Sequence, residues 1–379
     1  MNLAFVGFLP PGSANPEERT FVDLLSRSFG HTIVFQGIGV RGLRVRQIGS
    51  LPSRLMRRKL TTGSSGLSTG LLPVLPIRAS WTIKASAMLI RGRLHGMTKG
   101  AFEEWVFWTR FPSPELVLAL RGLPFARVVY EAVDNYAAEP LYTHKDRNRL
   151  EVAEAELLRR AIVITASSGL VGRFKDAARG PYWLPIGQDA RLKAARSCVP
   201  TGIPRPRLCI AGSLDELADE VLLFRVATER PNWHLVLAGP RARSWGHTLQ
   251  ALPNVHSLGK LTPGEVRGVI GDCDVALNPC VLNPWTADAL PVKIFDYLAE
   301  GKPIVSTPMT ELHAFDDLIE LAAGATFVNA IEHALQSNTP QLAVRRREMA
   351  ERFTLQERAQ RATALVSESR HEVASQRPA

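Results

Sequence analysis

The sequence predicts an α/β protein of two domains, each a doubly wound parallel sheet with helices on both faces. A chain of 379 residues exceeds the roughly 250 to 300 residues at which a single hydrophobic core stops growing. Apolar runs typical of buried strands alternate with helical patterns through both halves, as in parallel sheets covered by helices. Each half also begins with a strand-like run that leads into a glycine-containing turn, from Gly7 to Gly12 and at Gly212.

The predicted strands and their connections divide the chain. The strand-like runs are LAFVGF, TIVFQ, RVVYEAV and IVITAS in the first half, and RLCIAG, HLVLAG, DVALNP and PIVST in the second. Neither glycine turn completes a dinucleotide fingerprint or a Gly-Lys-Ser/Thr phosphate loop, so neither identifies a ligand by itself. Pro200, Pro204 and Pro206 interrupt a polar, basic stretch that we interpret as a linker. We therefore expect domains over residues 1–187 and 207–345, a linker over 188–206, and C-terminal helices over 346–379.

The segment PVKIFDYLAEGKPIVST, residues 291–307, predicts a short helix followed by a buried strand. Pro291 suits the first helical position, and Gly301 can end the helix in a left-handed conformation. Pro303 then prevents the helix from continuing. Both ends of this helix are therefore marked in the sequence.

Two charged residues of this helix are candidate ligand contacts. Lys293 lies in the first turn, after Pro291 and Val292, where the helix dipole disfavours a cation unless an anion lies nearby. A bound diphosphate would supply that anion, and Asp296, one turn further along the same face, could accept hydrogen bonds from ribose hydroxyls. The alternative is that the two side chains pair on a solvated surface, an interaction worth roughly 0.3 to 0.5 kcal/mol.

The same segment resembles the donor-binding signature P-x-K-x-[FY]-E-Y-L-A-x-G-K-P-[IV]-V of GT-B glycosyltransferases of the family 4 ("group 1") type, in the bacterial polysaccharide branch. The resemblance implies two Rossmann-like domains that face each other across a cleft, with C-terminal helices packing back toward the first domain. It implies a nucleotide-sugar donor on the second domain, an acceptor on the first and no metal ion or other cofactor. It also implies that Asp296 contacts the ribose and that Asp288 lies near the donor sugar, each Asp standing where Glu is usual.

Further segments extend the resemblance along the chain in the expected order. They are VVYEAVDNYA, AIVITASSGL and LPIGQD in the first half, and LCIAGSLDELAD, PNWHLVLAGP, PNVHSLGKLTPGEV and DCDVALNP in the second. By this resemblance, Gly212 and Ser213 form a donor-binding turn. The loop before Pro291 follows a strand end and is expected to line the ligand crevice, so Trp285 and Thr286 are candidate donor contacts. A plain packing role for Trp285 is the alternative.

Two positions depart from the family pattern. Relatives commonly carry an Arg and a Lys just after the first strand of the donor domain, whereas the turn from Gly212 to Glu216 has no cation. Diphosphate binding would then depend on Lys293 and backbone amides. Many relatives also place a His after an acceptor-domain strand, where this chain has Arg110.

The candidate acceptor-side residues follow strands of the first domain. Asp134, after the strand RVVYEAV, is the candidate for contacting or deprotonating an acceptor hydroxyl, and with Asp288 it completes the predicted catalytic pair. The alternatives are that Asp134 caps the next turn, or that a leaving phosphate oxygen takes the proton. Gly12 and Asn15 lie in the opening turn of this domain, where glycine permits close approach of a substrate.

Charge is concentrated in one segment. Thirteen of the 46 Lys and Arg residues lie between Leu24 and Phe102, where no Asp or Glu occurs, and the whole chain has a net charge of +10. A field of one sign attracts an anionic partner: membrane phospholipid, a lipid-pyrophosphate acceptor, an acidic polysaccharide or nucleic acid. The cluster SRLMRRKL, residues 53–60, with Trp81 beyond it, suits a segment lying on a membrane surface. The alternative is a solvated basic face.

Other sequence features limit the environment. The chain lacks an apolar run of about 18 residues, so no spanning helix is expected, and the N-terminus is interpreted as a first strand rather than a signal peptide. The cysteines at 198, 209, 273 and 280 show neither CxxC spacing nor a disulfide pattern, which fits a reducing cytoplasm. Cys209 and Cys273 are expected to be buried packing residues. Scattered His and Cys residues give no support for a metal site.

Three functional hypotheses follow. The leading one is a hexosyl-type glycosyltransferase (EC 2.4) that moves a sugar from a nucleotide-diphosphate-sugar to a glycan or lipid-linked acceptor. It would act in surface polysaccharide or glycolipid biosynthesis, in the cytoplasm or peripherally at the inner membrane face. The second is a catalytically inactive GT-B-like scaffold or sugar-nucleotide-binding protein, and the third, a nucleic-acid-binding protein, lacks a recognisable binding module.

Overall fold

The structure is a computed structural model that describes residues 1–7, 16–36, 61–62, 67–75, 79–140 and 142–368. The chain divides into two compact units. Unit 1 comprises Met1–Leu184 and Gln356–Ala379, and unit 2 comprises Pro185–Leu355.

Unit 1 is built on one sheet. Its described strands are β1 (Asn2–Val6), β2 (Thr32–Gln36), β3 (Thr61–Thr62), β4 (Ser68–Leu71), β5 (Trp105–Thr109), β6 (Arg127–Ala132), β7 (Ile162–Thr165) and β8 (Arg179–Trp183). They lie in the order β3-β4-β2-β1-β5-β6-β7-β8. All neighbours pair in parallel except the two-residue β3, which is antiparallel to β4. The predicted parallel sheet is therefore confirmed for this unit.

Helices cover both faces of this sheet. They include α1 (Pro16–Ser26), α2 (Ser80–Thr98), α3 (Pro114–Ala119), α4 (His144–Arg160) and α5 (Ser168–Arg173). On one face Ala4 of β1 shares a buried cluster with Ile90 of α2. On the other face Phe5 stacks on Trp108, which meets Phe21 of α1 edge to face. Among the described helices, none is both long enough and apolar enough to cross a membrane.

Unit 2 contains a second parallel sheet. Its strands are β9 (Arg207–Ala211), β10 (His234–Ala238), β11 (Val255–Gly259), β12 (Val275–Asn278), β13 (Ile304–Ser306) and β14 (Ile319–Leu321). They lie in the order β11-β10-β9-β12-β13-β14. The chain therefore extends the sheet from β9 first to one side and then to the other. In open α/β sheets, ligands bind outside the carboxyl ends of the strands at such a switch point.

Helices also cover both faces of the second sheet. They are α6 (Glu220–Glu229), α7 (Pro263–Asp272), α8 (Lys293–Ala299), α9 (Thr326–Ser337) and α10 (Pro340–Glu351). Cys209 of β9 packs in a cluster with Ile294 of α8, whereas the next residue, Ile210, packs in a second cluster with Phe327 of α9. The expected packing role of Cys209 and Cys273 is confirmed, since their exposed fractions are 0% and 1%.

Residues 188–206, predicted as a linker, lie within unit 2 and bond to α7. The Nη1 of Arg267 donates hydrogen bonds to Gln188 Oε1 and to the Leu192 carbonyl. At the start of α7, Thr262 and Glu265 form the capping box that the sequence predicts.

The predicted C-terminal segment, residues 346–379, contributes to both units. Helix α10 belongs to unit 2, where Arg346 donates a hydrogen bond to the Leu318 carbonyl. The last described helix, α11 (Leu355–Ser367), lies almost entirely in unit 1. There Arg358 Nε donates to the Leu184 carbonyl, and its Nη2 lies 2.7 Å from Glu131 Oε1. The chain thus returns to unit 1 at its end.

Candidate functional site

Helix α8 begins two residues later than the sequence predicts and ends as predicted. Pro291 and Val292 form the preceding turn, in which the Ile294 and Phe295 amides donate to the Pro291 and Val292 carbonyls, both at 3.1 Å. These are i to i−3 bonds, so the helical hydrogen-bond pattern starts only at Lys293. At the other end Gly301 adopts φ +68, which confirms the expected left-handed termination.

Lys293 lies against the glycine turn that follows β9. A Cβ added to Gly212 would lie 3.5 Å from Lys293 Cε and 3.7 Å from Lys293 Nζ. Gly212 has φ +101, a conformation that favours glycine. Gly239, after β10, also approaches closely, because a Cβ there would clash with the Gly212 carbonyl oxygen. The structure therefore brings the predicted residues Gly212 and Lys293 together at the switch point of the sheet.

Lys293 is half-buried, and burial is the largest influence on its ammonium group. Burial lowers its pKa, although Cys280, Asp215 and Cys209 act in the opposite direction. Within the described ranges, no hydrogen bond or ion pair reaches Lys293 Nζ. A cation at the start of a helix is also opposed by the helix dipole. An anion bound here would relieve both penalties.

The loop between β12 and α8 holds its shape through Thr286. This side chain is 2% exposed; its hydroxyl donates to the Val281 carbonyl and accepts from the Asn283 amide. The hydroxyl is therefore occupied in shaping the loop. Trp285 and Asp288 are half-buried in the same loop, and the Trp285 amide donates to Asn283 Oδ1.

The remaining predicted site residues lie at different places. Asp296 is half-buried on α8, and Ser213 is exposed beside Gly212. Gly12 and Asn15 lie outside the described residues. Sequence reasoning did not select Gly239, although the runs IAGS and LAGP end both strands in the same way and could have identified it. It also missed Asp215 and Cys280, which raise the pKa of Lys293 because the fold brings them near it.

In unit 1, Asp134 follows the carboxyl end of β6. Burial, together with the like charge of Glu139, raises its pKa to about 6. The carboxylate is half-buried, and no described side chain donates a hydrogen bond to it. A carboxyl group that titrates near neutral pH can accept a proton from a bound hydroxyl. The structure places Asp134 and the Lys293 site in different units.

Arg110, which stands where relatives commonly have a His, is part of a buried ion cluster. Its side chain is 3% exposed, and its Nε and Nη2 donate to the two oxygens of Glu131 at 2.9 and 2.8 Å. Its Nη1 donates to Glu18. Although burial opposes ionisation, Arg110 and Arg358 lower the pKa of Glu131 to about 2. Arg110 is thus fully occupied within the fold.

Solved structures of other proteins share this architecture over almost the whole chain. Sucrose-phosphate synthase from Thermosynechococcus elongatus aligns with TM-score 0.72 and 15% identity, covering 96% of this chain and 98% of its own. Anabaena Alr3699/HepE, solved in complex with UDP-glucose, aligns with TM-score 0.68 and 14% identity, covering 97% and 99%. WaaG, a glycosyltransferase involved in lipopolysaccharide biosynthesis, aligns with TM-score 0.63 and 15% identity, covering 97% of this chain and 100% of its own. The protein has the GT-B fold, as predicted.

The similarity in sequence to a known family lies within unit 2. Residues 205–337 match the family model "Glycosyl transferases group 1". A curated relative, "Putative teichuronic acid biosynthesis glycosyltransferase TuaH" of Bacillus subtilis (strain 168), is 27% identical over 259 residues. That match covers 62% of this chain and 65% of the length of the relative. The chain has the GT-B fold, and its residues 205–337 are similar to the group 1 glycosyl transferases, in agreement with the resemblance inferred from the sequence.

Proposed function

We propose that the protein is a glycosyltransferase that moves a sugar from a nucleotide-diphosphate-sugar to a glycan or lipid-linked acceptor. The reaction would serve surface polysaccharide or glycolipid biosynthesis. Support comes from the group 1 family match, from the relative named for teichuronic acid biosynthesis and from the likeness to a protein solved with UDP-glucose.

One observation carries this proposal: the half-buried Lys293 ammonium lies against the Gly212 turn, with no hydrogen bond or ion pair to it in the part of the chain that the structure describes. A desolvated cation that forms no ion pair costs stability. A diphosphate would supply the ion pair and accept strong, charge-assisted hydrogen bonds. The position at the switch point of the sheet is where such a ligand is expected.

The proposed roles follow from this placement. Lys293 holds the diphosphate and offsets the negative charge that develops on the leaving group, so the reaction is proposed to need no metal ion. Asp296 accepts hydrogen bonds from the ribose hydroxyls, and Asp288 contacts the donor sugar. Ser213, Trp285, Pro291 and Val292 complete the donor side, and Thr286 keeps the loop in place through its bonds to Val281 and Asn283.

On the acceptor side, Asp134 is the proposed base. As the acceptor oxygen attacks the anomeric carbon, the bond from that carbon to the diphosphate breaks, and the hydroxyl proton moves to the Asp134 carboxylate. A pKa of about 6 leaves this group mostly ionised at neutral pH and still basic enough to accept a proton.

A donor panel tests the proposal. Wild-type protein and Asp134→Asn are incubated with UDP-, GDP- and ADP-sugars, and both ligand binding and nucleotide release with a lipid-linked acceptor mixture are measured. We expect one donor to bind both proteins equally, with release by the variant slower by about 10²- to 10⁴-fold. Binding without release by wild type would favour the inactive sugar-nucleotide-binding protein. Absence of binding by every donor would contradict both functions.

We also propose that unit 1 contacts an anionic membrane surface at the inner face of the membrane. On α2, Trp81, Met88 and Leu89 are 65%, 74% and 45% exposed. The same helix carries Lys84 and Arg91 but no acidic residue. Exposed aromatic and apolar groups among cations are typical of helices that lie on membranes. The basic cluster at residues 53–60 lies outside the described residues.

Vesicle sedimentation tests this second proposal. Wild type should bind phosphatidylglycerol vesicles and not phosphatidylcholine vesicles, and Met88→Glu should weaken that binding. Val221→Glu is the matched control, because Val221 is 81% exposed on a helix of unit 2. Equal binding by Met88→Glu and wild type would contradict the assignment to α2. Salt-sensitive gel shifts with nucleic acid would instead support the nucleic-acid hypothesis.

A further inference from the structure

The second sheet opens between two of its strands. β9 pairs with β10 at five positions but with β12 at only two, Leu208 with Val275 and Cys209 with Ala276. On its other side β12 stays paired with β13 as far as Asn278. Each strand therefore keeps its outer neighbour while the two separate from each other. This separation lies at the switch point, beside the Gly212 turn.

The hydroxyl of Tyr297 occupies the gap. The Ala211 amide donates to Tyr297 Oη at 2.9 Å, and Tyr297 Oη donates to the Leu277 carbonyl at 3.2 Å. Because alternate residues of a parallel strand bond to the same neighbour, a continued ladder would join the Ala211 amide directly to the Leu277 carbonyl. The hydroxyl is thus inserted into one rung of the ladder. Its side chain is 0% exposed, as expected for a buried Tyr that has found both hydrogen-bond partners.

This inserted hydroxyl links the two parts of the candidate site. Ala211 is the last residue of β9 and directly precedes Gly212. Tyr297 lies four residues after Lys293, on the same helix α8. The Gly212 turn is therefore attached through one hydroxyl to the helix that carries Lys293. A change in that attachment would move the Gly212 turn relative to Lys293.

We propose that Tyr297 is a positioning residue of the donor site, whose hydroxyl holds the crevice between β9 and β12 open at the width that a diphosphate requires. The inference rests on the proposed donor function. Without the hydroxyl, the Ala211 amide either closes onto the Leu277 carbonyl or loses its partner, and in both cases Gly212 moves relative to Lys293. Charge-assisted hydrogen bonds are sensitive to such displacements.

The test compares Tyr297→Phe with wild type for binding of UDP, GDP or ADP, whichever wild type binds, and of the corresponding monophosphate. We expect diphosphate affinity to fall by about tenfold, equivalent to roughly 1.4 kcal/mol, while monophosphate affinity changes by less than about threefold. Tyr130→Phe is the matched control. It removes a hydroxyl that is also buried, bonded to Glu154 at 2.6 Å, but in unit 1. This control should leave both affinities unchanged.

The outcomes distinguish failure of the positioning role of Tyr297 from failure of the proposed function. If wild type binds no nucleoside diphosphate, the proposed function fails. If wild type binds and a folded Tyr297→Phe keeps the same ratio of diphosphate to monophosphate affinity, the positioning role is wrong. Should Tyr297→Phe not fold, an amide-to-ester substitution at Ala211 removes the same donor from the strand side. It should produce the same selective loss, and an unchanged ratio there would also overturn the role.

Discussion

The carboxyl ends of the two sheets carry charge in opposite ways. In unit 1, Arg110 and Arg358 are 3% exposed and both contact Glu131, which is 0% exposed, and Arg110 also donates to Glu18. In unit 2, Lys293 is half-buried without such a partner among the described residues. The charges of the first arrangement balance within the protein, whereas we propose that the second binds an anion.

This difference separates the charges that are paired within the fold from those that we propose to bind a ligand. The same contrast recurs within unit 1, where paired Glu131 has its pKa lowered to about 2 and Asp134, three residues later, has its pKa raised to about 6. Burial opposes the ionised form of both carboxyl groups, so the paired arginines explain the difference. Lys293 and Asp134, which lack such pairing among the described residues, are the charged groups that we assign to chemistry.

The largest expected effect comes from breaking the paired cluster. Glu131→Gln leaves Arg110 and Arg358 buried without sufficient counter-charge, so we expect a loss of about 3 to 5 kcal/mol in the free energy of unfolding. Denaturant titration measures this loss. Glu156→Gln is the control, because its pair with Arg121, which is 60% exposed, should contribute about 0 to 1 kcal/mol. Equal losses in the two variants would remove the distinction between cluster and surface pair.

Lys293→Ala should weaken ligand binding and not the stability of the free protein. We expect no loss of stability without ligand, because the substitution removes a desolvated cation from a helix start. Nucleoside diphosphate at 100 times its dissociation constant should stabilise wild type by about 2.7 kcal/mol, and most of that gain should disappear in the variant. Thermal-shift measurements compare the two. Arg225→Ala, which removes an exposed cation of unit 2, should retain the gain, and a full gain in Lys293→Ala would contradict the diphosphate assignment.

Asp134 should give a smaller effect that depends on pH. Its folded-state pKa, about 6, lies above the ordinary 3.8, so the native state holds its proton more tightly than the unfolded state does. Stability should therefore fall as pH rises from 4 to 6, by about 1 kcal/mol for this partly solvated group. Asp134→Asn should lack that fall. Urea unfolding of both proteins across this range measures the difference, and parallel profiles would show that Asp134 is not perturbed.

The fold was predictable because its signals are local and repeated. Strand-like runs such as RLCIAG and HLVLAG are apolar along their length, as expected for strands buried on both faces, and each ends in glycine. The end of α8 at Gly301 was predictable for the same reason. Its start was misplaced by two residues, because a turn with i to i−3 bonds precedes the helix and leaves no separate mark in the sequence.

The site was only partly predictable. Lys293 and Gly212 could be selected from motifs, but their contact depends on the packing of α8 against β9. Tyr297 was missed, since on an apolar helix face its ring looks like a packing residue until the hydroxyl is seen between two strands. Arg110 stood out because it replaces a His that is common in relatives. Only the fold shows that its side chain donates hydrogen bonds to Glu18 and Glu131.

The smallest effect should come from removing divalent cations. Because the proposal gives the role of counter-charge to Lys293, EDTA should change the nucleoside diphosphate affinity of wild type by no more than about twofold, or roughly 0.4 kcal/mol. In Lys293→Ala the diphosphate lacks that counter-charge, so added Mg²⁺, which readily coordinates phosphate oxygens, should partly restore binding. Isothermal titration with and without EDTA measures both responses. If wild type loses its nucleoside diphosphate affinity on chelation, Lys293 is not the counter-charge that the diphosphate needs.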